Sequence, residues 1–430
     1  MIEGDPMVTP SSTRSNRILQ GSALAATCAL ALTACAGSGG SPDAAGTSNG
    51  SGFADMSPVT LVVQSPYGPD HFMSEMWVDY AEVIEERSEG KITFDISYSS
   101  ALSSVAEQEA GLRDGLLDMA WSMPAYNPTA LPINALITEV AFLTEQTPLV
   151  SQLQGHGSTQ FGMENETLNQ ELSDAGLVSL LTMVGQMPNN VMICTDSPVQ
   201  SLADFAGKRI RVPGAGWATE VEALGATPVN IVQAEVYEAL ERGVIDCAVQ
   251  SPANSLQLGM LDIADYYSID TEVNFQGWNG THITMSERVW NELPLEARQL
   301  LWDEAGNTLL RSMLVGGMDA WAEEIRTASE TLEVVGYDDD VREALRAQRE
   351  NTLADVEERA DELAGEGNDL IASYQAVQAD WRNIVGEIGY SDDAHPTWID
   401  WAEAYDASPT NVDAFIDAYM ERVQIPNRPQ

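Results

Sequence analysis

The 430-residue chain is poor in the side chains that several kinds of chemistry need. Four cysteines and four histidines (His71, His156, His282, His395) are its whole store of soft metal ligands, and their spacing matches no metal-binding pattern. No G-x-S-x-G, H-E-x-x-H or phosphate-loop motif occurs, so a hydrolytic centre would have to be assembled from distant residues. No catalytic residue, metal or cofactor is expected. The longest apolar run, the twelve residues from Ala23 to Ala34, is too short to cross a bilayer, which takes roughly 20. Basic residues are scarcest: 20 stand against 66 acidic ones for a net charge of −46, and Lys91 and Lys208 are the only lysines. Such a surface repels nucleic acid and anionic membranes. It suits an exported protein in a saline medium, where screening tempers self-repulsion.

What the chain does have is a globular composition, 44% apolar with 10 Trp and 12 Tyr, on a length that favours two or more domains. Its N-terminus reads as an address. Arg14 and Arg17 precede the short apolar run and small residues end it, the pattern of a secretory signal over 1–34. Leu32-Thr33-Ala34-Cys35 resembles the lipobox of bacterial lipoproteins. That resemblance implies cleavage before Cys35 and diacylglyceryl attachment to its sulfur, the alternative being an ordinary signal peptide with an incidental cysteine. Residues 35–57 form a Gly/Ser-rich tether. The expectation is a protein on the extracytoplasmic face of the cell membrane, held there by acyl chains.

From residue 58 onward strands and helices alternate. Val59 to Val63 is a continuous β-prone run, and Phe72, Met76, Tyr80 and Ile84 share one helical face. Ile92, Phe94 and Ile96 alternate as a second strand, and a helix over 105–114 leads through Gly115 to a third strand over 116–121. Short links between such elements predict a mostly parallel sheet in an α/β fold. Residues 204–251 repeat the theme, with Arg211 near the end of the first strand and Gln250 and Ser251 at the end of the last. Two internal matches tie the halves together. G-K-I-T-F at 90 matches G-K-R-I-R at 207, and L-R-D-G-L-L-D-M-A-W at 112 matches L-E-R-G-V-I-D-C-A-V at 240, with offsets 208 − 91 = 117 and 246 − 118 = 128. They predict two related lobes. Residues 287–363 read as long amphipathic helices broken by a strand near Val334-Val335. Residues 365–430 read as an acidic helical tail with Trp381, Trp398 and Trp401 as packing anchors.

Three segments in order, L-A-D-F-A-G-K-R-I-R-V-P, L-G-A-T-P-V and E-V-Y-E-A-L-E-R-G-V-I-D, are followed by V-W-N-E-L-P. Together they resemble the substrate-binding proteins of tripartite ATP-independent periplasmic (TRAP) transporters, the DctP family, over about residues 58–335. The resemblance implies a two-lobed, type II-like periplasmic-binding-protein fold with a hinge, a long connecting helix and here an extended helical C-terminus. Lobe I would comprise 58–187 plus 281–430 and lobe II 188–280. It also implies a receptor, not an enzyme, that traps a small organic carboxylate between the lobes and delivers it to a Na⁺-driven membrane permease. A surface-anchored hydrolase or lyase and a sensory solute receptor are the alternatives on the same scaffold.

The resemblance places Arg211 on the family's carboxylate clamp, where a planar guanidinium offers two parallel N–H bonds. The second arginine that many members carry on the strand entering the second lobe is missing, and Pro188-Asn189-Asn190-Val191 stands there. Ser251 replaces the Asn of sialic-acid-type members, and Gln233 the stacking Phe of others. Trp217 and Trp278, in Gly-flanked segments, are candidates to cover a bulky, partly apolar acid. Gln250, Asn190, Trp121, Tyr67 and Gln64 complete the candidate set. Cys194 and Cys247, in an oxidising compartment, are expected to form a disulfide rather than two buried thiols, the distance between them deciding the matter.

Overall fold

The computed structural model describes residues 53–430 except 185, 186, 279 and 367. The signal peptide, Cys35 and the tether as far as residue 52 lie outside the described residues. The packed chain begins earlier than residue 58: Phe53 is buried in the main core and the Met56 carbonyl accepts a hydrogen bond from Lys91 Nζ at 2.7 Å. The tether expected to reach 57 therefore ends sooner, because an aromatic side chain finds apolar neighbours there.

Strand β1 (Val59–Gln64), helix α1 (Phe72–Arg87), β2 (Ile92–Ser97), α2 (Gln108–Asp114) and β3 (Met119–Ser122) open the first sheet. Helix α1 forms on the face read from sequence. His71 caps it by accepting from the Met73 N–H, and Phe72, Met76, Tyr80 and Ile84 are buried. Helices α3 (Pro132–Thr138), α4 (Val150–Gly157), α5 (Thr159–Glu164) and α6 (Glu166–Asp174) lead to β4 (Leu177–Val184), after which β5 (Met187–Cys194) enters a second sheet. There α7 (Leu202–Phe205), β6 (Arg209–Val212), α8 (Ala215–Ala223), β7 (Thr227–Asn230), α9 (Val236–Glu241) and β8 (Cys247–Gln250) follow. Helix α10 (Asn254–Gln257), β9 (Tyr266–Ser268) and β10 (Phe275–Trp278) finish that passage, and β11 (Thr281–Ser286) returns to the first sheet. Helices α11 (Glu287–Glu292), α12 (Leu295–Glu304) and α13 (Leu310–Thr331) come next, then β12 (Glu333–Val335). The chain ends in α14 (Asp339–Ala364), α15 (Leu370–Glu387), α16 (Trp398–Ala407) and α17 (Asp413–Tyr419).

The sheets run β2-β1-β3-β11-β4 and β12-β9-β5-β8-β6-β7, with β10 paired to β5. The parallel cores share one topology: β1 lies between β2 and β3 as β6 lies between β7 and β8. Asp118 Oδ2 accepts from the Val62 N–H at 2.8 Å, and Asp246 Oδ2 from the Arg209 N–H at 2.7 Å. Gly115 and Gly243, with φ of 82° and 62°, turn the preceding helices into β3 and β8. The 128-residue match is thus a structural equivalence. The 117-residue match is not, because Lys91 precedes the edge strand β2 while Lys208 precedes the central strand β6.

Strand β12 joins the second sheet beside β9, so residues 281–430 are not confined to the first lobe as expected. Three residues pair there because α13 delivers the chain to that sheet's open edge. Helix α14 holds both lobes. Its Arg342 and Arg349 pair with Asp270 and Glu220 at 2.7 and 2.9 Å on the second, and its Arg359 pairs with Glu139 on the first. Trp381, Trp398 and Trp401 are buried in the main core. Cys194 and Cys247 face each other across β5 and β8 and are joined as a disulfide. Closing a loop over a sequence separation of 53 restricts the unfolded chain by about 4 kcal/mol.

Candidate functional site

The carboxyl ends of the parallel strands from both sheets meet at one cavity, the place where open α/β sheets hold ligands. Tyr67 follows β1, and Met123 and Tyr126 follow β3. Opposite them stand Arg211 near the end of β6, Gln233 beyond β7, and Gln250 and Ser251 at the end of β8. Asn190 of β5 and Trp278 of β10 come from the strands next to the crossings. The cavity measures about 60 Å³, far below the roughly 300–1,000 Å³ of clefts for drug-sized ligands. The bulky acid expected from the two tryptophans does not suit it.

Among the described residues Arg211 is the only charged side chain in the lining, and it is 1% exposed. Its Nε donates to the Ile231 carbonyl at 2.9 Å and its Nη1 to the Val249 carbonyl at 3.0 Å. Nη1 also lies 3.5 Å from Gln250 Oε1. Nη2 is buried without a hydrogen-bond partner, and no carboxylate pairs with Arg211 among the described residues. Burial lowers the guanidinium's proton affinity, and the hydroxyls of Tyr126 and Tyr67 partly offset this. The group stays charged, as arginine does in proteins. Burial also pushes Tyr67 up to about 12, so its hydroxyl is neutral.

The walls are aromatic and fixed. Trp278 donates its Nε1–H to Thr281 Oγ1 at 2.6 Å and lies 5.7 Å from Tyr126, ring centre to ring centre. Tyr67 stacks on His71 at 3.9 Å, and His71 Nε2 lies 3.1 Å from Asn254 Oδ1 across the two lobes. Burial pushes His71 down to about 4, so it is uncharged at neutral pH. Two polar atoms besides Nη2 are buried at the lining without partners, Asn190 Oδ1 and Gln233 Nε2. Asn190 Nδ2 donates to the Gln276 carbonyl at 3.0 Å, which fixes the amide with its oxygen as the spare acceptor.

Arg211, Gln250, Ser251, Trp278, Gln233, Asn190 and Tyr67 thus come together around the cavity, while Trp217, Trp121 and Gln64 do not line it. Trp217 stacks behind Trp278 at 5.0 Å with its Nε1–H on the Gln276 carbonyl, where it supports the wall from outside. Trp121 is core beneath the first sheet. Gln64 occupies the position in β1 that Arg211 occupies in β6, each one residue past the pairs Val63–Met119 and Ile210–Cys247. Its amide is spent on the loop, accepting from the N–H groups of Leu102 and Ser103 and donating to the Ser103 carbonyl. Sequence reasoning missed Met73, Met123, Tyr126, Pro213, Val249, Asn254 and Thr281. Met123 was findable, being the counterpart of Ser251 at the same offset, 251 − 123 = 128.

A family model described as bacterial extracellular solute-binding protein, family 7 (DctP) matches residues 65–359. The chain is 27% identical over 234 residues to the protein y4mM of Sinorhizobium fredii, covering 53% of this chain and 40% of that one. It is 26% identical over 224 residues to the ectoine-binding periplasmic protein TeaA of Halomonas elongata, covering 50% of this chain and 63% of that one. The chain therefore spans between two fifths and two thirds of these relatives' length. Among solved structures, a TRAP solute-binding protein from Rhodoferax ferrireducens in complex with copurified benzoate superposes with a TM-score of 0.65. It shares 17% identity over 76% of this chain and 99% of that one.

Proposed function

The chain belongs to the DctP family of bacterial extracellular solute-binding proteins, and from that premise we propose that it captures a small organic carboxylate in the cavity between its two sheets. Delivery is to the membrane subunits of a TRAP-type transporter, and Cys35 carries the lipid that holds the receptor at the extracytoplasmic surface. The family and its solved neighbours are solute receptors and not enzymes, and no helix among the described residues is long and apolar enough to cross a membrane.

The observation that carries this reading is Arg211. In a chain with 66 acidic residues, this buried guanidinium lines the cavity with no carboxylate partner among the described residues and with its Nη2 unbonded. An unpaired buried charge costs several kcal/mol, and a carboxylate from solution offsets that cost with charge-assisted hydrogen bonds. Ligand and fold stabilise each other, so the cognate acid at 100 times its Kd adds about 2.7 kcal/mol to stability. A thermal-shift screen of organic acids identifies it. Arg211→Ala is then expected to weaken that acid by about 2–5 kcal/mol, the cost of truncating one partner of a buried charge pair. Unchanged affinity in Arg211→Ala would remove Arg211 from the clamp.

A further inference from the structure

The charge content of the cavity says more about the solute than its shape does. Among the described residues fourteen line the cavity and one of them is ionic, Arg211; none is an aspartate, glutamate, lysine or histidine. Tyr67 in the lining and His71 stacked behind it are neutral. Tyr67 keeps its proton to about 12, and His71 does not gain one until about 4, with its ring held between Asn254 and the Met73 N–H. A second carboxylate on the solute would be stripped of water against neutral dipoles alone, at several kcal/mol. An ammonium group would meet no anion among the described lining residues, only neutral acceptors such as Asn190 Oδ1 and the rings of Trp278 and Tyr126, from which cation–π attraction returns about 0.5–2 kcal/mol.

The unpartnered polar atoms refine the list. Nη2 of Arg211 and Nε2 of Gln233 are donors, matched by carboxylate oxygens. Oδ1 of Asn190 is an acceptor, and a buried acceptor left unpaired costs about 1–3 kcal/mol. A hydroxyl or N–H on the solute satisfies it. Met73, Met123, Pro213 and Val249 supply apolar wall, while Gln250, Ser251, Asn254 and Thr281 already hydrogen-bond within the protein, so the remainder of the solute finds few further polar partners and is best apolar.

Resting on the carboxylate reading above, we infer that the solute is a compact monocarboxylate with one hydroxyl or N–H donor, and that dicarboxylates and zwitterionic amino acids are rejected. The test is isothermal titration calorimetry on the full chain with acids of three to nine carbons in four matched classes. These are hydroxy or lactam monocarboxylates, the same acids without the donor, their dicarboxylate analogues and their α-amino analogues. The expected result is that the tightest ligand is a donor-bearing monocarboxylate. Its dicarboxylate and amino counterparts should bind at least 100-fold more weakly and the donor-free acid about tenfold more weakly. Asn190→Ala should abolish the tenfold preference for the donor and leave the rejection of second charges in place. A dicarboxylate or zwitterion that binds within tenfold of the best monocarboxylate overturns the inference and leaves the carboxylate reading standing. Failure of all four classes to bind overturns both.

Discussion

Glu324 of α13 has a fully buried carboxylate that no cation pairs with among the described residues. It accepts from the Leu256 N–H at 2.9 Å and from the Tyr267 hydroxyl at 3.1 Å, two residues along from the cavity residue Asn254. Burial raises it from its ordinary 4.5 to about 7. The native state therefore holds this proton over a range where the unfolded chain has released it. The resulting stability is fully present below about 4.5 and is lost as pH rises through 7. The shift is worth on the order of 3 kcal/mol. Glu324→Gln removes the charge while its Oε1 still accepts from the Leu256 N–H and its Nε2 donates to the Tyr267 hydroxyl, so its stability relative to wild type should rise between pH 4.5 and 7.5. Urea unfolding of both proteins at several pH values checks this, and a pH-independent difference would contradict it. At this scale the place of Arg211 at the cavity was legible because the R-V-P motif around it singles it out. Tyr126 and Asn254 were not legible, because each sits in a single short helical turn whose position depends on contacts with the other lobe. Trp217 misled because a tryptophan six residues after a clamp arginine reads the same whether it faces the ligand or backs the residue that does.

Among the elements, those governed by local pattern were readable and those governed by distant pairing were not. Helix α1 and the units α2–β3 and α9–β8 carry their own periodicity and turn glycines, and they stand where the sequence puts them. Strand β12 was readable as a strand at Val334-Val335, but its pairing with the edge that β9 offers in the second sheet was not, because nothing in Glu333-Val334-Val335 names a partner. The docking of α15 was equally hidden, although its mechanism is local. Gly157 ends α4 with the Trp381 ring of α15 laid on its Cα, so that a Cβ there would run into the ring. Gly157→Ala gains up to about 1 kcal/mol of helix propensity, but it must displace an indole buried between Phe415 and Tyr419. Overpacking of that kind costs about 1–3 kcal/mol, so a net loss is expected in urea unfolding. Gly386→Ala, in the same helix pair but with nothing near its Cβ, should instead gain about 0.4–1 kcal/mol. If both substitutions stabilise, the tight contact between α4 and α15 is not where the extension is held.

For the molecule as a whole, net charge is the strongest electrostatic influence. Ion pairs consume many of the basic side chains, and most of these pairs sit at the surface, where each contributes about 0–1 kcal/mol. They leave the bulk of the −46 unbalanced. Folding gathers those carboxylates into a smaller volume, so self-repulsion opposes the native state more than the unfolded one. Raising ionic strength from 0.01 to 0.1 M shortens the screening length from about 30 to about 10 Å, which removes the many long-range repulsions and keeps the few close ion pairs. The melting temperature should therefore climb with sodium chloride over that range, most steeply at the low end. Lowering the pH toward the carboxylate range, near 4, should flatten the dependence, because protonation then does what salt does at pH 7. Calorimetric scans at both pH values separate this from a general salt effect on apolar burial, which would persist at the lower pH. A melting temperature that falls with salt at pH 7 would mean that the surface ion pairs, and not the net charge, set the electrostatic balance.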